Sequence, residues 1–350
     1  MAKRWLSARI YYSPLDMNAP GDPQSDTILL DFIDPAIRHM RAEGWVEWAT
    51  FMRFAEAGYH IYLTVYGEEE TIKASAGPYL RAEFTRFRSE HPEIMQEPMV
   101  LSPNAETLNR KWGSPAEPRK LVEPGTLLMG LLPEEVDTEG YETREAWAAQ
   151  HSLHTALCRH TLDLIRLDPT PQLRNQFVRL LMDDFLRLSG LADSECYTVL
   201  RRLQQGWIDY FELKSDLLER MERLYRQKEE RYQGFFRGKQ RPEESLSMLP
   251  AELQPVYAEW LTTLRELGPQ VIRREGGQKV TAFDAQRIIG VFHLTHNRLS
   301  IKLEDEILTA HILAQYYGSL VDPAKRAEID DNLARRAQPP APAADATAGE

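Results

Sequence analysis

Between Val291 and Ser300 the chain reads Val-Phe-His-Leu-Thr-His-Asn-Arg-Leu-Ser, its densest set of polar, proton-handling side chains in an apolar frame. On a helix, His293, His296, Asn297 and Ser300 lie three, four and seven residues apart and share one face. Two imidazoles and a carboxamide on one face could line a pocket and move protons at a bound carbonyl. The same groups could equally cap helices and satisfy buried backbone. Zinc held by His293 and His296 would need a third ligand, and the sequence offers none nearby.

A second feature is Phe51-Met52-Arg53-Phe54, where one guanidinium sits inside an apolar strand and must find an acceptor. A substrate carbonyl would serve, and so would a structural carboxylate. The next run, Tyr59 to Tyr66, alternates so that His60, Tyr62, Thr64 and Tyr66 share a sheet face. That face could stack on a heteroaromatic peptide or be the half-exposed side of an antiparallel sheet. Arg81, Arg86, Arg88, Arg201 and Arg202 form local basic groups. They read either as solvated helix faces or as a patch for an acidic leader peptide.

There is no Gly-rich phosphate loop, His-Glu-x-x-His helix or Gly-x-Ser-x-Gly elbow. Catalysis on this chain is therefore expected to rest on positioned hydrogen-bonding groups and substrate orientation, with no cofactor and no metal. The formal net charge of −11 argues against DNA as a partner. Cys158 and Cys196 are too few for a disulfide framework and read as buried thiols. No apolar run approaches the ~20 residues of a membrane span, and the first residues lack a secretory apolar segment, so a cytoplasmic protein is expected.

The elements around these groups follow from periodicity and turn chemistry. Trp5 to Tyr12 reads as an opening strand. Asp26 is expected to cap a helix bearing Leu29, Phe32, Ile33, Ile37 and Met40, kinked at Pro35 and closed by Gly44. Val46 to Phe54 and Tyr59 to Tyr66 form a hairpin across Ala55-Glu56-Ala57-Gly58. Glu68 to Glu90 reads as helix interrupted near Gly77-Pro78, and 92–124 as Pro-rich loop. From Thr143 to Tyr232 apolar residues recur at helical spacing. Then come a linker from Pro242 to Pro250, a helix from Leu253 to Leu267, and one or two helices from Ala282 to Tyr317. The expected architecture is α+β: an antiparallel sheet with packed helices and a helical insertion. It forms one domain over 1–336, followed by a disordered tail over 337–350.

Together these segments resemble the C-terminal, glutamate-elimination domain of lantibiotic dehydratases. Trp5 to Tyr12 is similar to that domain's opening strand. Phe51-Met52-Arg53-Phe54 followed by Tyr59-His60-Ile61-Tyr62-Leu63 resembles its Phe-x-Arg-Tyr and His-Leu-Arg-Leu-Arg pair, and His293 to Leu299 resembles His-Met-x-x-Asn-Arg-Leu. The resemblance runs from Trp5 to Tyr317. Two departures stand out: Tyr62 and Thr64 replace two arginines, and a mid-chain Tyr-Glu-Pro-Glu with Tyr-Gly-Gly is reduced to Tyr141-Glu142-Thr143-Arg144-Glu145.

Those departures turn the resemblance from elimination toward the family's divergent branch, the thiopeptide pyridine synthases. It implies a formal aza-[4+2] cycloaddition between two dehydroalanines of an azole-containing precursor peptide, then loss of water and of the leader peptide. It also implies that His293, Thr295, His296 and Asn297 surround the reacting atoms, with Arg53 as a carbonyl partner. Tyr12, His60, Tyr62, Arg298, Ser300, Arg86 and Arg88 would contact the peptide. Alternatives on the same fold are a tRNA-dependent aminoacyl ligase, a glutamate-elimination enzyme, and a non-catalytic leader-binding subunit. A homodimer stays open.

Overall fold

A computed structural model describes residues 2–14, 23–95, 101, 105–107, 110, 120–132, 143–211, 213, 216–239, 241–272 and 281–337. Four strands form one antiparallel sheet: β1 (Lys3–Tyr11), β2 (Trp48–Phe54), β3 (His60–Glu68) and β4 (Leu127–Leu132), in the order β2-β3-β1-β4. The register pairs Leu6 with Val65, Ala8 with Leu63 and Ile10 with Ile61, and then Ala49 with Val65 and Phe51 with Leu63. Strand alternation therefore gathers these buried apolar side chains on one face. His60, Tyr62, Thr64 and Tyr66 lie on the other, as their spacing requires.

Helices cover the apolar face. α1 (Pro23–Ile28) passes through a π-helical turn, Leu29–Ile33, into α2 (Asp34–Ala42). α3 (Glu69–Thr71) passes through Ile72–Ala76, also π-helical, into α4 (Gly77–Glu90). Each wide turn falls just ahead of a proline, Pro35 or Pro78, whose ring and missing N–H an unbroken α-helix would not accommodate. Gly77 brings α4 against Leu6 and Met129, and Phe32 packs on Phe84 and Phe87 with ring centroids 5.8 and 5.7 Å apart. A side chain at Gly67 would run into the carbonyl oxygen of Trp45, so the chain leaving β3 needs glycine there.

The rest is helical: α5 (Arg144–Arg166), α6 (Pro171–Leu188), α7 (Asp193–Tyr210), α8 (Leu217–Arg226), α9 (Glu229–Arg237), α10 (Gln254–Val271), α11 (Ala282–Arg298), α12 (Leu303–Gly318) and α13 (Pro323–Ala337). Thr143 and Thr170 cap α5 and α6 through hydroxyls that accept from Ala146 and Leu173. Phe177, Tyr257 and Trp260 form an edge-to-face cluster in this core.

The expected linker is instead a 3-10 helix, Pro242–Met248. Its Ser245 is buried and donates to Asp184 at 2.7 Å, beside the fully buried Lys239 ammonium that joins Asp183 to Asp184. β4 and α13 were not anticipated. Leu-Leu-Met-Gly-Leu-Leu shows no strict alternation, and α13 is mostly charged and carries few apolar positions to show a period. The sites of the expected 337–350 tail, 338–350, and of Tyr141-Glu142 lie outside the described residues.

Helical and sheet halves meet at β2, an edge strand whose outward backbone groups are taken up by side chains. Ala49 N–H donates to Thr155 Oγ1 at 3.3 Å, and Phe51 N–H points at Cys158 Sγ at 3.4 Å. Arg298 Nε donates to the Phe51 carbonyl at 3.0 Å. Asn297 then takes both backbone groups of Arg53, at 2.8 and 2.7 Å. α5 and α11 thus cover a sheet edge that would otherwise be open to pairing.

Candidate active site

α11 opens with a capping box, in which Thr281 Oγ1 accepts from Asp284 N–H and Asp284 accepts from Thr281 N–H, both at 3.0 Å. It ends at Leu299, and Ser300, with φ +55°, turns the chain back into α12. This reversal lays the first turn of α12 beside the last turns of α11 and places Glu306 against His293.

His293 Nδ1 lies 3.1 Å from Glu306 Oε2, and Trp207 Nε1 donates to Glu306 Oε1 at 2.9 Å. The indole of Trp207, from α7, lies 4.3 Å from the His293 ring, with Phe211 5.8 Å beyond. Glu306 is buried at 2% side-chain exposure while His293 keeps 33%. Burial pushes the Glu306 carboxyl up, but the charges of His293 and His296 and the bonds from His293 and Trp207 outweigh it and hold Glu306 below its ordinary value. The result is an imidazole fixed by a buried carboxylate, with Nε2 free among the described residues. Such a pair can give and take a proton at a bound substrate. The described residues gather no third metal ligand around it.

The other groups of the motif point elsewhere. Thr295 is buried and donates to the Val291 carbonyl at 2.8 Å. His296 is fully buried; its Nδ1 lies 2.8 Å from the Phe292 carbonyl, and its Nε2 has no partner among the described residues. Burial pushes the His296 pKa down against the opposing charge of Glu306. Asn297 and Arg298 are spent on the β2 backbone.

Arg53 takes the structural alternative. Its Nε donates to the Arg298 carbonyl at 3.0 Å, and its Nη2 bonds Asp26 at 2.5 Å. Asp26 also accepts from Arg174 at 2.7 Å, and Arg174 reaches the Leu299 carbonyl at 3.2 Å. Asp26 is thus no helix cap. It lies inside α1 and is clamped between two buried guanidiniums that hold the end of α11.

On the second sheet face Tyr62 and Thr64 remain half-buried. The Arg9 guanidinium lies 5.4 Å from the Tyr62 ring, Phe54 meets that ring edge-on at 5.9 Å, and Thr64 bonds Thr50 at 2.8 Å. His60 is buried under Phe54 and Tyr11, with Nδ1 at 3.0 Å from the Gly58 carbonyl. Desolvation, aided by the Arg9 charge and opposed by that bond, lowers its pKa to about 4. Tyr12 is buried at the end of β1.

Arg86 and Arg88 are exposed on α4, which packs by β4 at the sheet edge opposite β2. Arg86 is held by Glu83 and Glu90 at 2.8 and 2.7 Å. The fold brings His293, Thr295, His296, Asn297, Arg298, Ser300 and Arg53 into one neighbourhood and leaves Arg86 and Arg88 outside it. Sequence reasoning missed Glu306, Trp207 and Arg174, and read Asp26 as a helix cap. An acid in the first turn of a helix reads as ordinary dipole pairing, so Glu306 gave no signal of its own.

The family model for the C-terminal part of the lantibiotic biosynthesis dehydratase matches residues 5–317. The chain belongs to this lantibiotic dehydratase C-terminal family. Among solved structures it is similar to the pyridine synthase TbtD from thiomuracin biosynthesis, with a TM-score of 0.64, 19% identity, and coverage of 91% of this chain and 98% of that one. It is also similar to TsrL, with a TM-score of 0.55, 14% identity, and coverage of 97% and 100%. The tRNA-dependent lantibiotic dehydratase MibB from Microbispora sp. 107891 matches at a TM-score of 0.50 and 14% identity, over 95% of this chain and 28% of that one. No curated protein matches the chain.

Proposed function

We propose that this member of the lantibiotic dehydratase C-terminal family is a pyridine synthase of thiopeptide biosynthesis. In this reading it joins two dehydroalanines of an azole-containing precursor peptide by a formal aza-[4+2] cycloaddition. Loss of water and release of the leader peptide as a carboxamide complete the ring. The observation that carries the reading is the second sheet face, where an aromatic Tyr62 and a hydroxyl-bearing Thr64 stand at the positions of the two arginines in the elimination pattern. A face of this kind suits stacking on flat heteroaromatic rings.

The reaction asks for orientation of two alkenes and for proton transfers at one amide and at the departing hydroxyl. His293 is assigned the proton transfers, with Glu306 and Trp207 as positioning residues. Thr295, His296, Asn297 and Arg53 are assigned to holding α11 in place around it.

The test is mass spectrometry of a leader-bearing peptide with azoles and two dehydroalanines, incubated with the purified protein. A macrocycle together with a leader carboxamide supports the reading. Peptide that binds but keeps its mass supports a leader-binding subunit instead. Loss of glutamate from a glutamylated peptide, or gain of an aminoacyl group in the presence of charged tRNA, moves the chain to the other branches of the fold.

A further inference from the structure

Away from the α11 site, the α5–α10 contact carries side chains in a metal-ligand arrangement. His160 and Asp163 lie one turn apart on α5, and Glu259 and Thr263 lie one turn apart on the facing α10. One ligand atom from each of His160, Asp163 and Glu259 falls within 4.8 Å of the other two.

His160 is fully buried. Its Nε2 is engaged by Thr263 Oγ1 at 2.9 Å, and its Nδ1, with no hydrogen-bond partner among the described residues, faces Glu259 Oε2 at 3.5 Å. In the tautomer that carries its proton on Nε2, toward Thr263, Nδ1 is a lone pair facing a carboxylate oxygen, and a cation between the two would join them.

Asp163 gives Oδ1 to both Arg166, at 2.8 Å, and Arg38, at 3.4 Å, leaving Oδ2 for another partner. The same two arginines also bind Asp34, so those four charges cancel; beside His160, Glu259 then adds a negative charge and Arg159 a positive one. Thr263 fixes the imidazole from behind, as residues behind a metal-bound histidine commonly do.

We propose that His160 Nδ1, Asp163 Oδ2 and Glu259 Oε2 form a binding site for one divalent transition-metal ion of zinc type, clamping α5 to α10, with water completing the shell. One nitrogen and two carboxylate oxygens suit such an ion better than magnesium or calcium, which favour all-oxygen sites. Bonds of about 2.1 Å would require the ligand atoms to draw together to about 3.4 Å. His160 Nδ1 and Glu259 Oε2, at 3.5 Å, are already at that spacing, and the Glu259 side chain, 64% exposed, is free to follow the ion.

The experiment uses the full chain, free of any affinity tag and stripped with EDTA. Zinc chloride is titrated in by calorimetry and by thermal unfolding, with magnesium chloride in parallel. One zinc per chain is expected, raising the melting temperature by about 3 °C at a hundredfold excess over Kd, with no response to magnesium. Glu259→Gln and Asp163→Asn should each weaken zinc binding at least about tenfold. Because Glu259 is exposed, Glu259→Gln should leave the metal-free melting temperature unchanged, so it separates ligand loss from misfolding. Absence of a zinc response in the wild type, an equal response to magnesium, or wild-type zinc affinity in Glu259→Gln each overturns the proposal.

Discussion

The carboxamide of Asn297 meets the backbone of Arg53 as a neighbouring strand would: Oδ1 accepts the Arg53 N–H at 2.8 Å, and Nδ2 donates to the Arg53 carbonyl at 2.7 Å. One side chain thereby extends the β2 ladder into the helical half. Replacement by alanine leaves a half-buried donor and acceptor without partners, at about 1–3 kcal/mol each. Asn297→Ala should therefore lose about 2–4 kcal/mol in urea unfolding. Asn297→Asp, which keeps the acceptor and loses the donor, should fall between it and the wild type. An alanine variant as stable as the wild type would show that the clasp contributes nothing.

Asp26 carries the negative charge shared by the Arg53 and Arg174 guanidiniums, and all three side chains are at most 15% exposed. Removing one member of a buried ion cluster costs about 3–5 kcal/mol, because the remaining charges stay desolvated. Asp26→Asn should show a loss of that order in chemical denaturation, and Asp26→Glu a smaller one. Arg53→Met should cost less than Asp26→Asn, since it leaves Asp26 paired with Arg174. The reverse order would mean that the Arg53 bond to the Arg298 carbonyl outweighs the shared charge of Asp26.

The alternation that placed Tyr62 and Thr64 beside His60 was legible because a strand has period two and its register allows no slip without exposing Leu63 and Val65. The α11 helix was legible from its apolar frame. What each polar group does was not legible, because helical spacing shows which side chains share a face but not what faces them. His293 and Asn297 differ in role only because α12 brings Glu306 to one and β2 brings a peptide unit to the other. Arg53 reads the same in sequence whether its acceptor is a substrate or Asp26, 27 residues away. β4 stayed hidden because an apolar run without alternation carries no period to read.

If His293 moves protons in the cyclisation, His293→Ala should reduce kcat by about 10²–10⁴ while the fold remains intact, since the ring is one-third exposed. Glu306→Gln keeps the shape of the pair and an acceptor for Trp207 but removes the charge. It should lower kcat by about tenfold or more and leave KM near the wild-type value. Single-turnover conversion followed by mass spectrometry reads both. A His293→Ala enzyme as fast as the wild type removes this residue from the chemistry.

Tyr62 should act on affinity. Stacking of one aromatic ring on an azole is worth about 1 kcal/mol, so Tyr62→Ala should raise KM about five- to tenfold with kcat little changed. Tyr62→Phe should behave as the wild type. Equal KM values across the three proteins would remove the sheet face from the binding site.

Two histidines on the sheet side give the fold a defined acid sensitivity. Burial lowers both His60 and His151 to about 4; His151 stacks on Trp48 at 5.5 Å and meets Trp5 at 4.8 Å. Above the ordinary histidine value of about 6.5, folded and unfolded chains are both neutral at these sites, and stability does not depend on them. As pH falls from there to about 4, the unfolded chain takes up protons that the folded chain refuses, so stability falls, by at most about 3 kcal/mol per histidine. Below that window their effect levels off. His151→Phe keeps an aromatic ring in the cluster and removes the titration. Its urea midpoint should therefore drop less than that of the wild type between pH 7 and pH 4.5, and because carboxylates elsewhere titrate alike in both proteins, the difference isolates His151. Parallel midpoint curves would show that His151 can be protonated in the folded state without cost.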